Sequence, residues 1–123
     1  MIDFENGFFK LSPIDPKSVA DKVPPLLVEG ETIVAAFKTI RDFVVFTDKR
    51  VISANVQGIT GKKVDYTSLP YSKVQAYSVE TAGTFDRDCE LDLFYSGIGQ
   101  VRFEIKGDCD IVALSRRISA FIL

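Results

Sequence analysis

The stretch DFVVFTDKRVISANVQ, residues 42–57, limits the fold more than any other part of the chain. Two apolar runs flank the short polar segment Thr47-Asp48-Lys49-Arg50, which is the pattern of a β-hairpin. If Thr47 pairs with Arg50, Val45 stands opposite Ile52 and Phe43 opposite Ala54. On the other face Phe46 meets Val51 and Val44 meets Ser53. Both faces are therefore apolar near the turn, whereas an antiparallel sheet usually shows one polar face to water. The second face needs a cover, supplied by the N-terminal arm or by another subunit. Val44, Phe46 and Val51, with Phe8 and Phe9 of the arm, are the expected contacts between subunits.

Around this hairpin the chain alternates again and again. TIVAAFKT (32–39) puts Ile33, Ala35 and Phe37 on one face and Val34, Ala36 and Lys38 on the other. KKVDYTS (62–68) and VQAYSVET (74–81) read as strands separated by the break Leu69-Pro70-Tyr71-Ser72-Lys73, where Pro70 leaves room for one helical turn. CELDLFY (89–95) and VRFEIK (101–106) form a hairpin with Cys89, Leu91, Leu93, Tyr95, Val101, Phe103 and Ile105 inward and a row of charges outward. IVALSRRISAFIL (111–123) has period 3.6, with Ile111, Leu114, Ile118 and Phe121 on one stripe and Asp108 or Asp110 as its cap. Before all of these, residues 1–14 form an aromatic-rich arm. Asp15-Pro16 then opens a short helix that runs to about Val23 and stops before Pro24-Pro25. The expectation is a mainly β fold: seven antiparallel strands in a partly open barrel, a closing C-terminal helix and a short N-terminal helix. Residues 1–30 are the arm and short helix, packed on the same domain or on a neighbour, and 31–123 are the barrel domain.

Composition narrows the function by exclusion. The 123 residues carry a formal net charge of −2 and include no histidine. Without histidine, Ser-His-Asp and Cys-His arrangements are impossible and the commonest general acid–base residue is missing. There is no Cys/His cluster for zinc and no Gly-rich phosphate loop, so no cofactor, no metal site and no catalytic residue is expected. The acidic balance argues against a nucleic-acid partner. Asp86-Arg87-Asp88, with Glu90 and Asp92, reads as a solvated loop and an outer strand face rather than a cation site. Cys89 points inward and reads as an inert structural thiol. Two cysteines without a CxxC, and no apolar leader, fit a cytoplasmic protein with reduced thiols.

FKTIRDFVVFTDKRVI (37–52), then Gly58 and Gly61, then YTSLPYSKVQAYSVET (66–81), resembles the single-domain bacterial pleckstrin-homology family, long classed as a domain of unknown function. The resemblance runs from about Leu26 to the C-terminus. It implies the pleckstrin-homology fold and a homo-oligomeric ring, with the pentamer expected for a chain whose last residues are the closing helix. It also implies a polar surface, shared by adjacent protomers, that binds another protein.

The residues expected to form that surface are Arg41, Asp42, Asp48, Lys49 and Arg50. An alternative is a peripheral domain for anionic lipid or a phospho-headgroup, using Lys38, Arg41 and Lys49. In eukaryotic relatives a Lys-x-Arg cluster near the first turn holds inositol phosphates; here the second arginine is absent and Asp42 follows Arg41 directly. Lys62 and Lys63 read as solubility and edge protection.

Overall fold

The computed structural model describes residues 1–5, 7–107 and 110–123. One eight-stranded sheet bends into an open barrel closed by a single C-terminal helix. The strands are β1 (Phe8–Ile14), β2 (Ile33–Lys38), β3 (Phe43–Thr47), β4 (Arg50–Gln57), β5 (Lys63–Pro70), β6 (Val74–Glu80), β7 (Cys89–Tyr95) and β8 (Gly99–Ile105), and the helix is α1 (Ile111–Ile122). Their spatial order is β5-β4-β3-β2-β1-β8-β7-β6. Consecutive strands β5 and β6 thus lie at the two ends of the sheet, joined by a 3₁₀ turn at Tyr71–Lys73.

The central hairpin has the expected register: Phe43↔Ala54, Val44↔Ser53, Val45↔Ile52 and Phe46↔Val51. Its doubly apolar character is satisfied within one chain. Val44, Phe46 and Val51 face the barrel interior and are inaccessible to solvent. There they join Phe37, Leu69, Leu91, Leu93 and Phe103, and the Phe46 ring meets Phe37 and Phe103 edge-on with centroids 5.7 and 5.8 Å away. Phe43, Val45, Ile52 and Ala54 face outward and are covered by Val19, Val23 and Leu27. The cover is therefore the chain's own segment before β2. Val44, Phe46, Val51 and Phe8 are core residues of a single protomer, which corrects their reading as subunit contacts. The side chain of Phe9 lies outside the described structure.

The aromatic arm contains a strand that sequence alternation does not reveal. β1 pairs antiparallel with β2 and parallel with β8, so it joins the two halves of the barrel. Its register shifts between Phe8 and Leu11, and Lys10 has φ 56°. That bulge puts both Phe8 and Leu11 inward, three positions apart, where a regular strand would alternate by two. The expected short helix is two 3₁₀ turns, Pro16–Val19 and Pro24–Leu26. Asp15 caps the first by accepting from the Lys17 amide, and the prolines begin a new turn instead of only ending one.

A second bulge corrects the reading of β2. Ile33 pairs with Thr47 but Ala35 with Phe46, so the alternation slips there. Ile33 packs on the outer cluster and Ala35 on the inner one, though strict alternation puts them on one face. The β7–β8 hairpin settles as Asp92↔Arg102 and Glu90↔Glu104. Arg102 bonds Asp92 at 3.0 Å and lies 3.5 Å from Glu90, which keeps one cation among like charges. Ile111, Leu114 and Ile118 of α1 are buried, Asp110 caps it through the Ala113 amide, and Phe121 stacks on Tyr71. Asp108 and Cys109 fall outside the described residues; Cys89 is a buried free thiol.

Candidate anion-binding groove

The residues expected to form one polar surface lie at opposite ends of β3. Arg41 and Asp42 precede it and Asp48, Lys49 and Arg50 follow it. Five residues of strand separate the two groups by roughly 15 Å.

At the far end, the hairpin turn is committed to structure. Arg50 forks onto the carboxylate of Glu31, with Nε to Oε2 and Nη2 to Oε1 both at 3.0 Å. Its remaining donors reach the Leu26 carbonyl and Ser68 Oγ. The Glu31 side chain has no exposed surface. Burial pushes its pKa up, but the bonds from Arg50, Thr47 and the Val28 amide outweigh that and hold it below the ordinary value. Thr47 Oγ1 donates to Glu31 and accepts from the amides of Lys49 and Arg50. No residue of the turn has positive φ. This hydroxyl therefore does the work that Asn-Gly backbone geometry does in tighter hairpins. Asp48 ties the turn to Thr32 in both directions. Only the Lys49 side chain is left exposed. Tyr71 completes the clamp: its hydroxyl donates to the buried Thr47 carbonyl at 2.8 Å, and burial raises its pKa. Tyr71→Phe leaves that carbonyl without its donor, so urea titration should show a loss of about 1–2 kcal/mol.

At the near end the picture differs. Asp42 points back into its own sheet, where it accepts from the Val56 amide at 2.8 Å and from Asn55 Nδ2. It makes no ion pair with Arg41 among the described contacts; Arg41 Nη2 donates instead to the Gly58 carbonyl of the next loop. With Asp42 turned away, Lys38 and Arg41 open onto a groove of about 780 Å³. Lys10, Ser12, Thr39, Ile40 and Lys106 complete its lining.

The strands explain this convergence. Phe37, Leu11 and Ile105 are inward, so Lys38, Lys10, Ser12 and Lys106 emerge on the outer face. Ser12 pairs with Lys38, Leu11 pairs with Ile105, and the Lys106 amide donates to the Leu11 carbonyl. Lys10 reaches the groove through its left-handed backbone, a conformation that costs a non-glycine residue about 1–2 kcal/mol. Such strain concentrates at functional positions. Four cations thus line one groove that holds no carboxylate itself, while Asp15 and Asp42 line the adjoining cavity that shares Lys38, Thr39, Ile40 and Arg41 with it. Lys10 and Lys106 were not among the candidates: a bulge hides the first, and only the β1–β8 pairing brings the second near Lys38.

Comparison with known proteins agrees with this fold. The family model "Bacterial PH domain" matches residues 4–122. The chain is 42% identical over 111 residues to "Uncharacterized protein YjqA" of Bacillus subtilis (strain 168), covering 89% of each. Among solved structures it is similar to a DUF1696 family protein with a pleckstrin-homology domain from Shewanella loihica PV-4, with TM-score 0.80, 38% identity, and 94% of this chain and 100% of that one covered. A pleckstrin homology domain from Shewanella amazonensis SB2B gives TM-score 0.66 at 41% identity, covering 89% and 90%. A PH-domain-containing protein from Exiguobacterium sibiricum 255-15 shares the fold at 19% identity, with TM-score 0.69 over 91% of this chain and 61% of that one. With the strand order, the closing helix and these matches in agreement, the chain belongs to the bacterial PH domain family.

Proposed function

We propose that this chain is a non-enzymatic cytoplasmic binding module that holds an anionic group in the groove between β2, β1 and β8. The observation that carries this reading is the convergence of Lys10, Lys38, Arg41 and Lys106 with no acid among the lining residues. Like charges gathered on β1, on β2 and the loop after it, and just after β8 repel one another, and an anion relieves that repulsion. Ser12 adds a neutral hydrogen-bond partner, while the Thr39 hydroxyl is held by the Asp42 backbone. Pyrophosphate is a suitable probe. Calorimetric titration should show binding that weakens with added salt. The double variant Lys38→Ala, Lys106→Ala should weaken it by about tenfold or more. Equal affinity in wild type and variant would remove the groove from consideration.

A second reading concerns assembly. β5 and β6 are the outermost strands of the sheet, and among the described residues neither has a strand partner on its free side. Unpaired edges are templates for pairing with another chain. Through these edges we propose a cyclic homo-oligomer, a pentamer, whose protomers share a surface for a protein partner. Light scattering on the full chain at micromolar concentration should give the mass of a ring; a monomer would sink this second reading and leave the groove untouched.

A further inference from the structure

The sheet is open between β5 and β6, and a cavity lies in that seam. The two strands are consecutive in the chain, yet they stand at opposite ends of the strand order and do not pair. Pro70 ends β5, and the 3₁₀ turn Tyr71–Lys73 carries the chain across. The register of β6 against β7 then shifts between Val74 and Ala76. A strand end, a turn and a bulge together leave a cavity of about 450 Å³, within the range of small-molecule sites. Leu69, Pro70, Val74, Ile98 and Tyr95 line it. The polar residues of the lining are uncharged apart from Lys73, and no carboxylate is among them.

Tyr95 is the informative residue of this wall. It closes β7, faces inward and is only 6% exposed. Its hydroxyl oxygen is buried without a hydrogen-bond partner, the one such side-chain atom among the described residues. Folded proteins leave few buried polar atoms unpaired, since each forfeits its bonds to water. The other buried tyrosine, Tyr71, shows the ordinary solution: its hydroxyl donates to the Thr47 carbonyl at 2.8 Å. Packing gives no reason for the oxygen of Tyr95, because phenylalanine would fill the same space with nothing to satisfy. Burial raises the pKa of this hydroxyl, so at neutral pH it stays protonated and offers an O–H donor.

We infer that the seam cavity is a binding site for a small, largely apolar molecule whose carbonyl oxygen accepts a hydrogen bond from Tyr95. An apolar body suits the wall, and an acceptor suits the donor. A cationic ligand would find no counter-charge in the lining, and a phosphate-like anion would meet Lys73 alone. The site shares no lining residue with the groove of Lys38 and Lys106, so neither reading depends on the other.

Acetophenone and α-methylstyrene are matched probes, since the second replaces the carbonyl oxygen of the first with a methylene group. Each is titrated into the full-length, isotope-labelled protein and followed by the backbone amide resonances. Acetophenone should shift the amides of Leu69, Val74 and Ser96 saturably and leave those of Lys38 and Lys106 in place. In Tyr95→Phe the ratio of acetophenone affinity to α-methylstyrene affinity should fall about fivefold relative to wild type. Without a probe the variant should melt no lower than wild type, because it loses an unpaired hydroxyl and no packing. Three results would overturn the site. The first is cavity amides indifferent to acetophenone. The second is an affinity ratio unchanged in Tyr95→Phe, which would assign the hydroxyl to water alone. The third is a variant that melts well below wild type, which would mean that the hydroxyl is spent inside the fold.

Discussion

Arg50→Ala should cost the protein about 3–5 kcal/mol, because it strands a carboxylate that has no access to water. Glu31 is buried with Arg50 as its only cationic partner among the described contacts. Arg50 also satisfies the Leu26 carbonyl and Ser68, so one substitution unties the segment before β2, the hairpin turn and β5 together. Chemical denaturation of the single variant measures the cost. The pair Glu31→Leu, Arg50→Met removes both charges and should recover most of the loss, since a matched apolar pair needs no compensation. A single variant within about 1 kcal/mol of wild type would refute the clamp. The same pair sets a dependence on pH. The folded-state pKa of Glu31 is lowered, so its contribution is present above the ordinary glutamate value of about 4.3 and is lost as pH falls through the lower folded value. Acid titration of stability should therefore lose this component in the double apolar variant.

Gly7→Ala should be nearly as damaging, at about 3 kcal/mol or more, although the residue lies in a terminal arm. Gly7 has φ +66°, and a Cβ there would stand 2.1 Å from the Arg102 carbonyl oxygen. The obstacle is backbone of β8, which cannot swing aside as a side chain can. Alanine must therefore push the start of β1 away from β8, where Phe8 stacks on Phe103 at 6.1 Å between centroids. Gly58→Ala is the control: it has a similar φ of +70° but nothing near its Cβ position. It should lose only the left-handed term of about 1–2 kcal/mol. If the two variants melt alike, the close approach of β1 to β8 carries no weight. Both unfold more easily without any change to the groove's lining residues, so pyrophosphate affinity measured well below the midpoint should separate stability from binding.

The parts of the chain that were legible are those where local pattern and global fold agree. The register of the hairpin at 42–57 follows from the sequence, because two apolar runs and a polar turn admit few pairings. The inward set of β7 and β8 and the stripe of α1 were read in the same way. Bulges defeated the reading elsewhere. At Lys10 and between Ile33 and Ala35 an extra residue breaks the period of two. The first bulge hid a whole strand and the second exchanged two faces. The doubly apolar hairpin shows in its sequence that it needs a cover. Whether Val19, Val23 and Leu27 or a second subunit supplied it could not be decided from periodicity.

The candidate site shows the same division more sharply. Turn residues Asp48 and Arg50 look free in the sequence because nothing nearby neutralises them. Their partners, Thr32 and Glu31, lie 16 and 19 residues away. Conversely, Lys10 and Lys106 look like ordinary surface charges until a parallel pairing sets β1 beside β8. The amino-acid order by itself determined the elements, the apolar faces of the hairpins and the lack of histidine chemistry, since these depend on residues close together in the chain. Only the tertiary structure decided which charges are spent and which are free. Electrostatic partners are chosen by distance in space, and the strand order, not the sequence, sets that distance.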